Sequence, residues 1–279
     1  MSGDEPDRAW TVAQVSDLHI VDEGQLCVGH IDTAAFLRRA VTALNRLSPG
    51  PDLVLATGDL VNDGTPQQYA HLRRLLEPLQ LPLAVIPGNH DARGPLRRAF
   101  ELPDGRPIGG EAPADAPCDL ARRVGPIHLV GLDTIVPGAP SGALAPGQLD
   151  WLEATLASEP TAPTIVAVHH PPFATGIGHM DAMALDDRSA AALEAVIARH
   201  PQVERLVCGH VHRAVQRRWA GTVAMIVPGA AHAVVPDLRP GGPAAWDYEP
   251  PGITLHRWSP ATGLVSHLVP VEAYPVHLY

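Results

Sequence analysis

Seven side chains of metal-ligating types lie in five short blocks along the chain and could together bind metal ions. Nearly every block follows an apolar run rich in β-branched residues and precedes Gly, Pro or another turn signal. Such positions are the ends of predicted strands, where open α/β sheets build their sites. Carboxylate, imidazole and amide oxygen ligands suit a pair of first-row divalent metals, and paired metals suit phosphate ester chemistry. The seven residues are Asp17, His19, Asp59, Asn89, His169, His210 and His212.

Two of these blocks carry a pair of ligands spaced two residues apart. Asp17 and His19 form the first pair, and His210 and His212 form the last. Side chains at positions i and i+2 point to the same face of a strand, so Asp17 and His19 can both reach one metal, and His210 and His212 share a face. In isolation, Asp17 is also explained as a turn cap and His19 as an incidental polar residue. The agreement of five blocks, in order, favours a two-metal site.

The remaining ligands are a carboxylate, an amide and one more imidazole. Asp59 follows a predicted buried strand and a glycine, where an unpaired carboxylate is costly, and its two oxygens can bridge two metals. Taken alone, Asp59 is better explained as a turn residue. Asn89 can give a neutral oxygen to a metal, and His169 ends another strand. The neighbouring His170 must point elsewhere, so we predict a structural or supporting role for it.

Two residues that follow Asn89 are predicted to take part in catalysis. His90 can point at the substrate, and Asp91 can orient or charge it. Imidazole is the side chain most often used for proton transfer in enzymes. We therefore take His90 and Asp91 as candidate catalytic residues, and the alternative is an ordinary turn after a strand.

The composition excludes several classes of protein. The chain has 279 residues, of which 46% are hydrophobic and 18% charged, as in ordinary globular proteins. Its net charge is −10 and it has no dense basic block, which argues against a nucleic-acid partner. The three cysteines lack CxxC spacing and fit a reducing compartment rather than a disulfide framework. With no signal peptide pattern and no apolar stretch near the roughly 18 residues that span a bilayer, we expect a cytoplasmic protein without a membrane partner.

Alternating strands and helices are predicted between the blocks. Helix caps are predicted at Asp32-Thr33 and at Thr65-Pro66, and the Pro-, Gly-, Asp- and Ala-rich segment 102–117 is predicted to be a loop. Strands are predicted at 10–15, 53–56, 83–86, 127–132, 164–168 and 203–208, and later helices at 146–156 and 188–199. Antiparallel strands of a second sheet are predicted at 215–219, 223–227, 253–258 and 264–268.

The order strand, ligand, helix is that of βαβ units in a mainly parallel sheet. The predicted fold class is α/β, as a four-layer α/β/β/α sandwich of two mixed β-sheets flanked by helices. We expect one domain over residues 1–279, with a core over about 10–235. The C-terminal strands over 250–270 are expected to complete the second sheet.

The five blocks together resemble the pattern D-x-H, G-D, G-N-H-D/E, H and G-H-x-H of the calcineurin-like metallophosphoesterase superfamily. Within it, the chain looks most like bacterial class III cyclic-nucleotide and glycerophosphodiester phosphodiesterases. Segments 180–181 and 250–257 look more like the glycerophosphodiesterase branch. Ser/Thr protein phosphatases carry an Arg shortly after the second-block Asp, whereas this chain has Asn62-Asp63-Gly64 there. The motifs that carry the resemblance are 58–62, 87–91, 169–172 and 208–212.

The resemblance implies how the ligands divide between the metals, with Asp59 bridging both and a hydroxide between the metals as the nucleophile. Iron or manganese is favoured, and such histidine-rich sites also accept zinc or cobalt. Metal 1 would be held by Asp17, His19, Asp59 and His212. Metal 2 would be held by Asp59, Asn89, His169 and His210.

The resemblance also implies roles near the substrate. His90 would protonate the leaving alkoxide, and Asn62 would hydrogen-bond a phosphate oxygen or a metal-bound water. His232 is a further candidate for lining the site. Segment 172–187, with Gly176 and Gly178, is predicted to be a lid or substrate-selecting loop, and the alternative is a plain surface connection.

These inferences predict a metal-dependent phosphoric diester hydrolase that acts on small diesters, either 3′,5′-cyclic nucleotides or glycerophosphodiesters. A phosphomonoesterase or nucleotidase with the same core is the first alternative. The net negative charge of the chain argues against a nuclease. A non-catalytic binding scaffold is a distant alternative, since all seven ligands are present. Relatives of this branch assemble, so we expect a homodimer or a higher homo-oligomer.

Overall fold

The computed structural model describes residues 8–100, 113 and 115–277, and two β-sheets dominate this part of the chain. The first sheet contains β1 (Trp10–Val15), β2 (Leu53–Thr57), β3 (Leu83–Ile86), β12 (Gly252–Ser259) and β13 (Gly263–Pro270). The second contains β4 (Leu120–Val124), β5 (Ile127–Leu132), β6 (Thr164–Val168), β7 (Val203–Cys208), β8 (Val215–Trp219) and β9 (Thr222–Ile226). A two-stranded ribbon consists of β10 (Ala233–Val234) and β11 (Trp246–Asp247).

Six helices are described. They are α1 (Thr33–Arg46), α2 (Pro66–Leu76), α3 (Arg93–Ala99), α4 (Pro146–Ser158), α5 (Gly178–Asp181) and α6 (Asp187–Ile197). The two predicted caps are present: Asp32 accepts the N–H of Ala35, and Thr65 accepts that of Gln68. Each side chain thereby satisfies a backbone donor at the start of a helix. None of the described helices is both long and apolar enough to cross a membrane.

The first sheet runs in the order β13-β12-β1-β2-β3. Strands β1, β2 and β3 are parallel, β12 pairs antiparallel with β1, and β13 pairs antiparallel with β12. The prediction that the strands over 250–270 complete the second sheet is therefore wrong. They extend the first sheet instead, because Trp10 of β1 is in register with Trp258 of β12.

The second sheet runs in the order β4-β5-β6-β7-β9-β8. Its inner strands β5, β6, β7 and β9 are parallel, and β4 and β8 are antiparallel edge strands. The predicted strand at 223–227 therefore runs parallel to its neighbour β7 and antiparallel only to β8. Both sheets are mixed, as predicted.

The layers stack as helices, sheet, sheet, helices. Apolar side chains of β1, β2 and β3 pack against those of β4 to β7 and β9 between the sheets. Helices α1 and α2 cover the outer face of the first sheet, and α4 and α6 cover that of the second. The predicted four-layer α/β/β/α sandwich is confirmed. That residues 1–279 form one domain with a core over about 10–235 stays a prediction.

The sequence patterns missed the short elements α3, β4, α5, β10 and β11. The predicted loop at 102–117 falls almost entirely on 101–112 and 114, which lie outside the described residues.

Candidate metal centre

All seven predicted ligands converge at the carboxyl ends of parallel strands of both sheets. Asp17 and His19 follow β1, Asp59 follows β2, Asn89 follows β3, His169 follows β6, and His210 and His212 follow β7. Because the two sheets pack face to face, these loops meet at one edge of the sandwich. Six of the side chains are at most 6% exposed, and Asn89 is half-buried.

The ligand loops adopt left-handed backbone conformations that the sequence patterns did not reveal. Five of the seven predicted ligands have positive φ, between 45° and 72°. Residues other than glycine rarely adopt this region, and it is concentrated at functional sites. These ligands therefore reach the clusters through left-handed turns rather than through the pleat of a strand. The five residues are Asp17, His19, Asp59, His210 and His212.

The first cluster of ligand atoms joins two carboxylates and two imidazoles, all within 4.8 Å of one another. His19 Nε2 lies 3.2 Å from His212 Nε2 and 3.6 Å from Asp59 Oδ2. His212 Nε2 lies 3.5 Å from Asp17 Oδ1. The four residues are those predicted for metal 1.

The second cluster contains the residues predicted for metal 2. Asn89 Oδ1 lies 3.2 Å from His169 Nε2 and 3.1 Å from His210 Nδ1. Asp59 Oδ2 lies 3.4 Å from His169 Nε2, so this one oxygen belongs to both clusters. Asp59 Oδ1 instead accepts the backbone N–H of His90 at 2.9 Å. Oδ2 alone therefore lies beside ligand atoms of both clusters, and the bridge through both oxygens of Asp59 stays a prediction.

His170 lies beside His169 and His210, and all three offer nitrogens within 4.8 Å of one another. Both of its ring nitrogens are already engaged. Nε2 lies 3.1 Å from the Pro140 carbonyl, and Nδ1 lies 2.7 Å from the Thr134 hydroxyl. These contacts support the predicted structural role of His170 rather than metal binding.

Hydrogen bonds outside the clusters point lone pairs into them. Nδ1 of His169 lies 2.8 Å from the Thr57 carbonyl, which accepts its proton, and Nδ1 of His212 lies 3.2 Å from the His232 carbonyl. In the neutral rings, Nε2 is therefore an acceptor. Carbonyl partners of this kind fix the tautomer of metal-ligating histidines.

The ligand atoms fit two cations because hydrogen-bond acceptors face one another at the centre of the two clusters. A neutral His169 ring would place its Nε2 lone pair against Asn89 Oδ1 and Asp59 Oδ2, an arrangement that is unfavourable without a proton or cation between them. Two further buried atoms, Asp17 Oδ2 and His210 Nε2, have no hydrogen-bond partner. The chemistry of these residues therefore matches the predicted pair of divalent metals.

Burial and neighbouring charges set the protonation of the cluster. Burial lowers the pKa of His19 and of His210 to about 3, so both rings are neutral ligands at pH 7. Burial and the nearby Asp59 charge raise the pKa of Asp17 to about 7. Burial opposes ionisation of Asp59 as well, but His169 and His19 hold its pKa well below the usual range.

We expect metal affinity to rise with pH. Below its pKa of about 7, Asp17 carries a proton that a bound cation must displace. The dissociation constant for Mn²⁺ should therefore fall by roughly tenfold or more between pH 6 and pH 8. Calorimetric titration in two buffers with different ionisation enthalpies measures both the affinity and the protons released. A dissociation constant that stays the same from pH 6 to pH 8 would contradict this assignment.

Two motif glycines allow the ligand loops to approach each other. Gly58 has φ of 96°, and a Cβ there would lie 2.8 Å from the backbone nitrogen of Gly88. A Cβ on Gly88 would collide with the backbone nitrogen and carboxylate of Asp59. Glycine is thus required at both positions by the close packing around Asp59.

Asp91 braces the neighbouring loops. Its oxygens accept the backbone N–H groups of Leu60 at 3.1 Å and Gly88 at 2.9 Å, and the Tyr69 hydroxyl at 2.7 Å. Val61 N lies at 3.4 Å. That Asp91 is catalytic stays a prediction, and the contacts of its carboxylate are all with hydrogen-bond donors of neighbouring loops and of Tyr69. These contacts position the loops.

Tyr69, which the sequence patterns did not single out as functional, completes this brace. Its buried hydroxyl donates to Asp91 and accepts the Ala92 N–H at 3.1 Å. Tyr69→Phe removes the hydrogen bonds that the Tyr69 hydroxyl makes to the Asp91 carboxylate and the Ala92 N–H. We therefore expect the free energy of unfolding to fall by about 1–3 kcal/mol. Urea denaturation checks this, with Tyr274→Phe as the control because that ring is 63% exposed. Equal losses in both variants would argue against the brace.

A cleft of about 330 Å³ opens over the clusters. His90, Asn62 and His232 line it, as predicted, together with several of the ligands. His90 Nδ1 lies 2.7 Å from the Asn62 carbonyl, which leaves Nε2 for a substrate. The Asn62 amide donates to Asp63 Oδ1 at 3.1 Å, and burial lowers the pKa of His232 to about 4.

The segment predicted as a lid contributes to the cleft through α5 and the residues after it. His179, Met180 and Met183 line the cleft. Asp181 fixes the segment by accepting the N–H groups of Thr175 and Gly176, at 2.7 and 2.9 Å. Lid movement stays a prediction.

Comparison with known proteins identifies the family. Residues 11–214 match the calcineurin-like phosphoesterase family, and the chain belongs to this family. It is 35% identical over 256 residues to the protein named "Probable glycerophosphodiester phosphodiesterase GpdQ" of Arcobacter nitrofigilis, covering 92% of this chain and 91% of the relative. It is 33% identical to the 3′,5′-cyclic adenosine monophosphate phosphodiesterase CpdA of Pseudomonas aeruginosa, covering 84% of each. The resemblance drawn from the five blocks is confirmed.

Solved structures agree on the fold. A purple acid phosphatase, PPD1, from yellow lupin (Lupinus luteus) seeds superposes with a TM-score of 0.66 at 16% identity, covering 94% of this chain and 54% of that one. At this identity the likeness supports the shared sandwich and does not bear on the substrate.

Proposed function

We propose that this protein is a metal-dependent phosphodiester hydrolase acting on small diesters. The observation that carries the proposal is the convergence of all seven predicted ligands at one edge of the sandwich. The relatives named as glycerophosphodiester and cyclic nucleotide phosphodiesterases support it. Two divalent cations held by these ligands would supply Lewis acidity and a water of lowered pKa.

The protein's own groups then position the substrate and handle the proton of the leaving group. The Asn62 carbonyl accepts from His90 Nδ1, and the backbone N–H of His90 donates to Asp59 Oδ1. His90 is thus held beside the carboxylate shared by both clusters, and its ring lies 4.7 Å from that of His19. Because Nδ1 is already a donor, Nε2 carries a proton only when His90 is an imidazolium. In that form it can donate to a departing alkoxide.

The charge of the cleft favours a diester over a monoester. Among the described residues that line it, Asp59 is the only Asp, Glu, Lys or Arg. A phosphomonoester carries one more negative charge than a diester, and sites for such groups are usually supplied with arginine or lysine. A singly charged diester needs only the two metals for neutralisation.

The proposal is tested by the hydrolysis of bis(p-nitrophenyl) phosphate and p-nitrophenyl phosphate by Mn²⁺-loaded protein. Cyclic AMP and glycerophosphocholine are assayed alongside. We expect a strong preference for the diester, and the two natural substrates then distinguish the branches. A preference for the monoester would move the protein to the phosphatase class, and no turnover with metals bound would favour a binding scaffold.

Three finer statements are proposals of the same kind. Iron or manganese suits the mixed imidazole and carboxylate set, and zinc or cobalt is also compatible. We expect the protein to be cytoplasmic, since three buried free cysteines fit a reducing compartment. A homodimer or higher homo-oligomer remains our expectation, tested by light scattering.

A further inference from the structure

A row of aromatic rings leads outward from the metal centre along one side of the cleft. The ring of the ligand His212 lies 4.4 Å from that of His232, which lies 6.0 Å from Trp246. Trp246 lies 5.3 Å from Tyr248. We call His232, Trp246 and Tyr248 the aromatic wall. It places an indole within two rings of a metal ligand.

The wall is fixed in place before any substrate binds. Trp246 lies on β11, in register with Val234 of β10. Arg213, the residue after His212, donates to the Val234 carbonyl at 2.6 Å and to Glu249 at 2.6 Å. The ribbon is thus fastened to the loop that carries the last two ligands. Such preorganisation reduces the entropy lost on binding.

Tyr248 anchors the outer end of the wall. Its ring stacks on Phe36 of α1 with centroids 6.3 Å apart and planes within 10°. Its hydroxyl donates to the His30 carbonyl at 3.3 Å. The wall is therefore held from both sides, yet Trp246 remains 37% exposed and Tyr248 56% exposed. Large aromatic surface left open at the mouth of a cleft is characteristic of binding sites.

The other residues that line the cleft indicate which kind of organic substituent the diester carries. Apart from the ligands, His90, His232 and Trp246, the lining contains the polar residues Asn62 and His179 and is otherwise mostly apolar, with Val28, Met180, Met183, Val234, Ala244 and Ala245. The apolar part of this lining offers the hydroxyls of a glycerol group no hydrogen-bond partner. A quaternary ammonium group would meet one indole rather than an aromatic cage. A planar ring matches an indole face and thioethers well.

We propose that Trp246 is a specificity-determining residue that stacks on a planar aromatic substituent of the diester, such as a nucleobase. The inference rests on the proposed function, since the phosphoryl group must sit at the metal centre for its substituent to reach the wall. Base–aromatic stacking typically changes affinity by roughly 5-fold to 150-fold. The gain belongs to substrate binding, so it should appear in KM more than in kcat.

The test compares two cyclic phosphates that differ only by the base. Wild-type protein, Trp246→Leu and Trp246→Phe, each loaded with Mn²⁺, are assayed on cyclic AMP and on the methyl riboside 3′,5′-cyclic phosphate, which lacks adenine. Wild type should prefer cyclic AMP by roughly 5-fold to 150-fold in kcat/KM. Trp246→Leu should lose this preference because its kcat/KM falls for cyclic AMP and not for the compound without adenine. Trp246→Phe should retain part of the preference.

A binding measurement separates this inference from the proposed function. Dissociation constants of AMP and of ribose 5-phosphate should show the same base preference and the same loss in Trp246→Leu. Trp151→Leu, on the outer helix α4, is the matched control and should keep it. No base preference in wild type, or equal losses on both compounds in Trp246→Leu, would overturn the stacking role. Absence of all diester turnover would contradict the proposed function, and the binding data would still decide the role of Trp246.

Discussion

Replacing Asp59 by Asn should reduce diesterase activity by on the order of 10³-fold or more, about 4 kcal/mol of transition-state stabilisation. Asp59 Oδ2 is the one atom shared by the two clusters, 3.6 Å from His19 Nε2 and 3.4 Å from His169 Nε2. An amide keeps the shape but removes the charge that both cations need. The backbone N–H of His90 also loses its carboxylate partner. We therefore expect the variant to hold fewer than two metals per chain.

Metal content by plasma mass spectrometry and initial rates on bis(p-nitrophenyl) phosphate measure both effects in one preparation. Asp150→Asn is the matched control, since that carboxylate is exposed on α4. It should retain two metals and full activity. An Asp59→Asn protein that kept two metals and near wild-type rates would refute the shared role of this oxygen.

Replacing His90 by Ala should leave both metals bound and still slow the reaction on the order of 10²–10⁴-fold for alkyl diesters. His90 donates no atom to either cluster, and its ring is held at Nδ1 by the Asn62 carbonyl. A nitrophenolate leaves without help from an acid, whereas an alkoxide needs a proton. The loss should therefore be much smaller for nitrophenyl diesters.

The informative quantity is the ratio of the two losses, measured on glycerophosphocholine and bis(p-nitrophenyl) phosphate. His267→Ala serves as the control because that imidazole is exposed on the edge strand β13. Equal relative losses on both substrates would show that His90 is not the general acid. Loss of metal in the variant would assign it a structural role instead.

The ligand set could be predicted from the sequence because each ligand directly follows a strongly apolar strand. The carboxyl ends of parallel strands meet at one edge, so finding the strands was enough to bring Asp17, Asp59 and Asn89 together. The left-handed backbone at Asp17 and Asp59 was not predictable, because nothing in residue type marks a strained aspartate. This backbone conformation brings ligand atoms of both clusters to one oxygen of Asp59, which only the three-dimensional structure shows.

The features that the sequence did not reveal depend mainly on long-range pairing. Residues 250–270 were assigned to the wrong sheet because their partner, β1, lies at the other end of the chain. The bracing contacts of Asp91 are not predictable from the sequence, because a turn residue can face either side and Tyr69, which holds it, belongs to the helix α2. Trp246 is not predictable from the sequence, because the two residues of its strand β11 are too few to show a hydrophobic pattern.

Anomalous diffraction at the manganese edge from Mn²⁺-soaked crystals tests the central claim most directly. The geometry predicts two peaks that share Asp59 as a ligand. One should be bound by Asp17, His19 and His212, and the other by Asn89, His169 and His210. A single peak, or a second peak bound through His170 in place of Asn89, would contradict the two-metal centre described here.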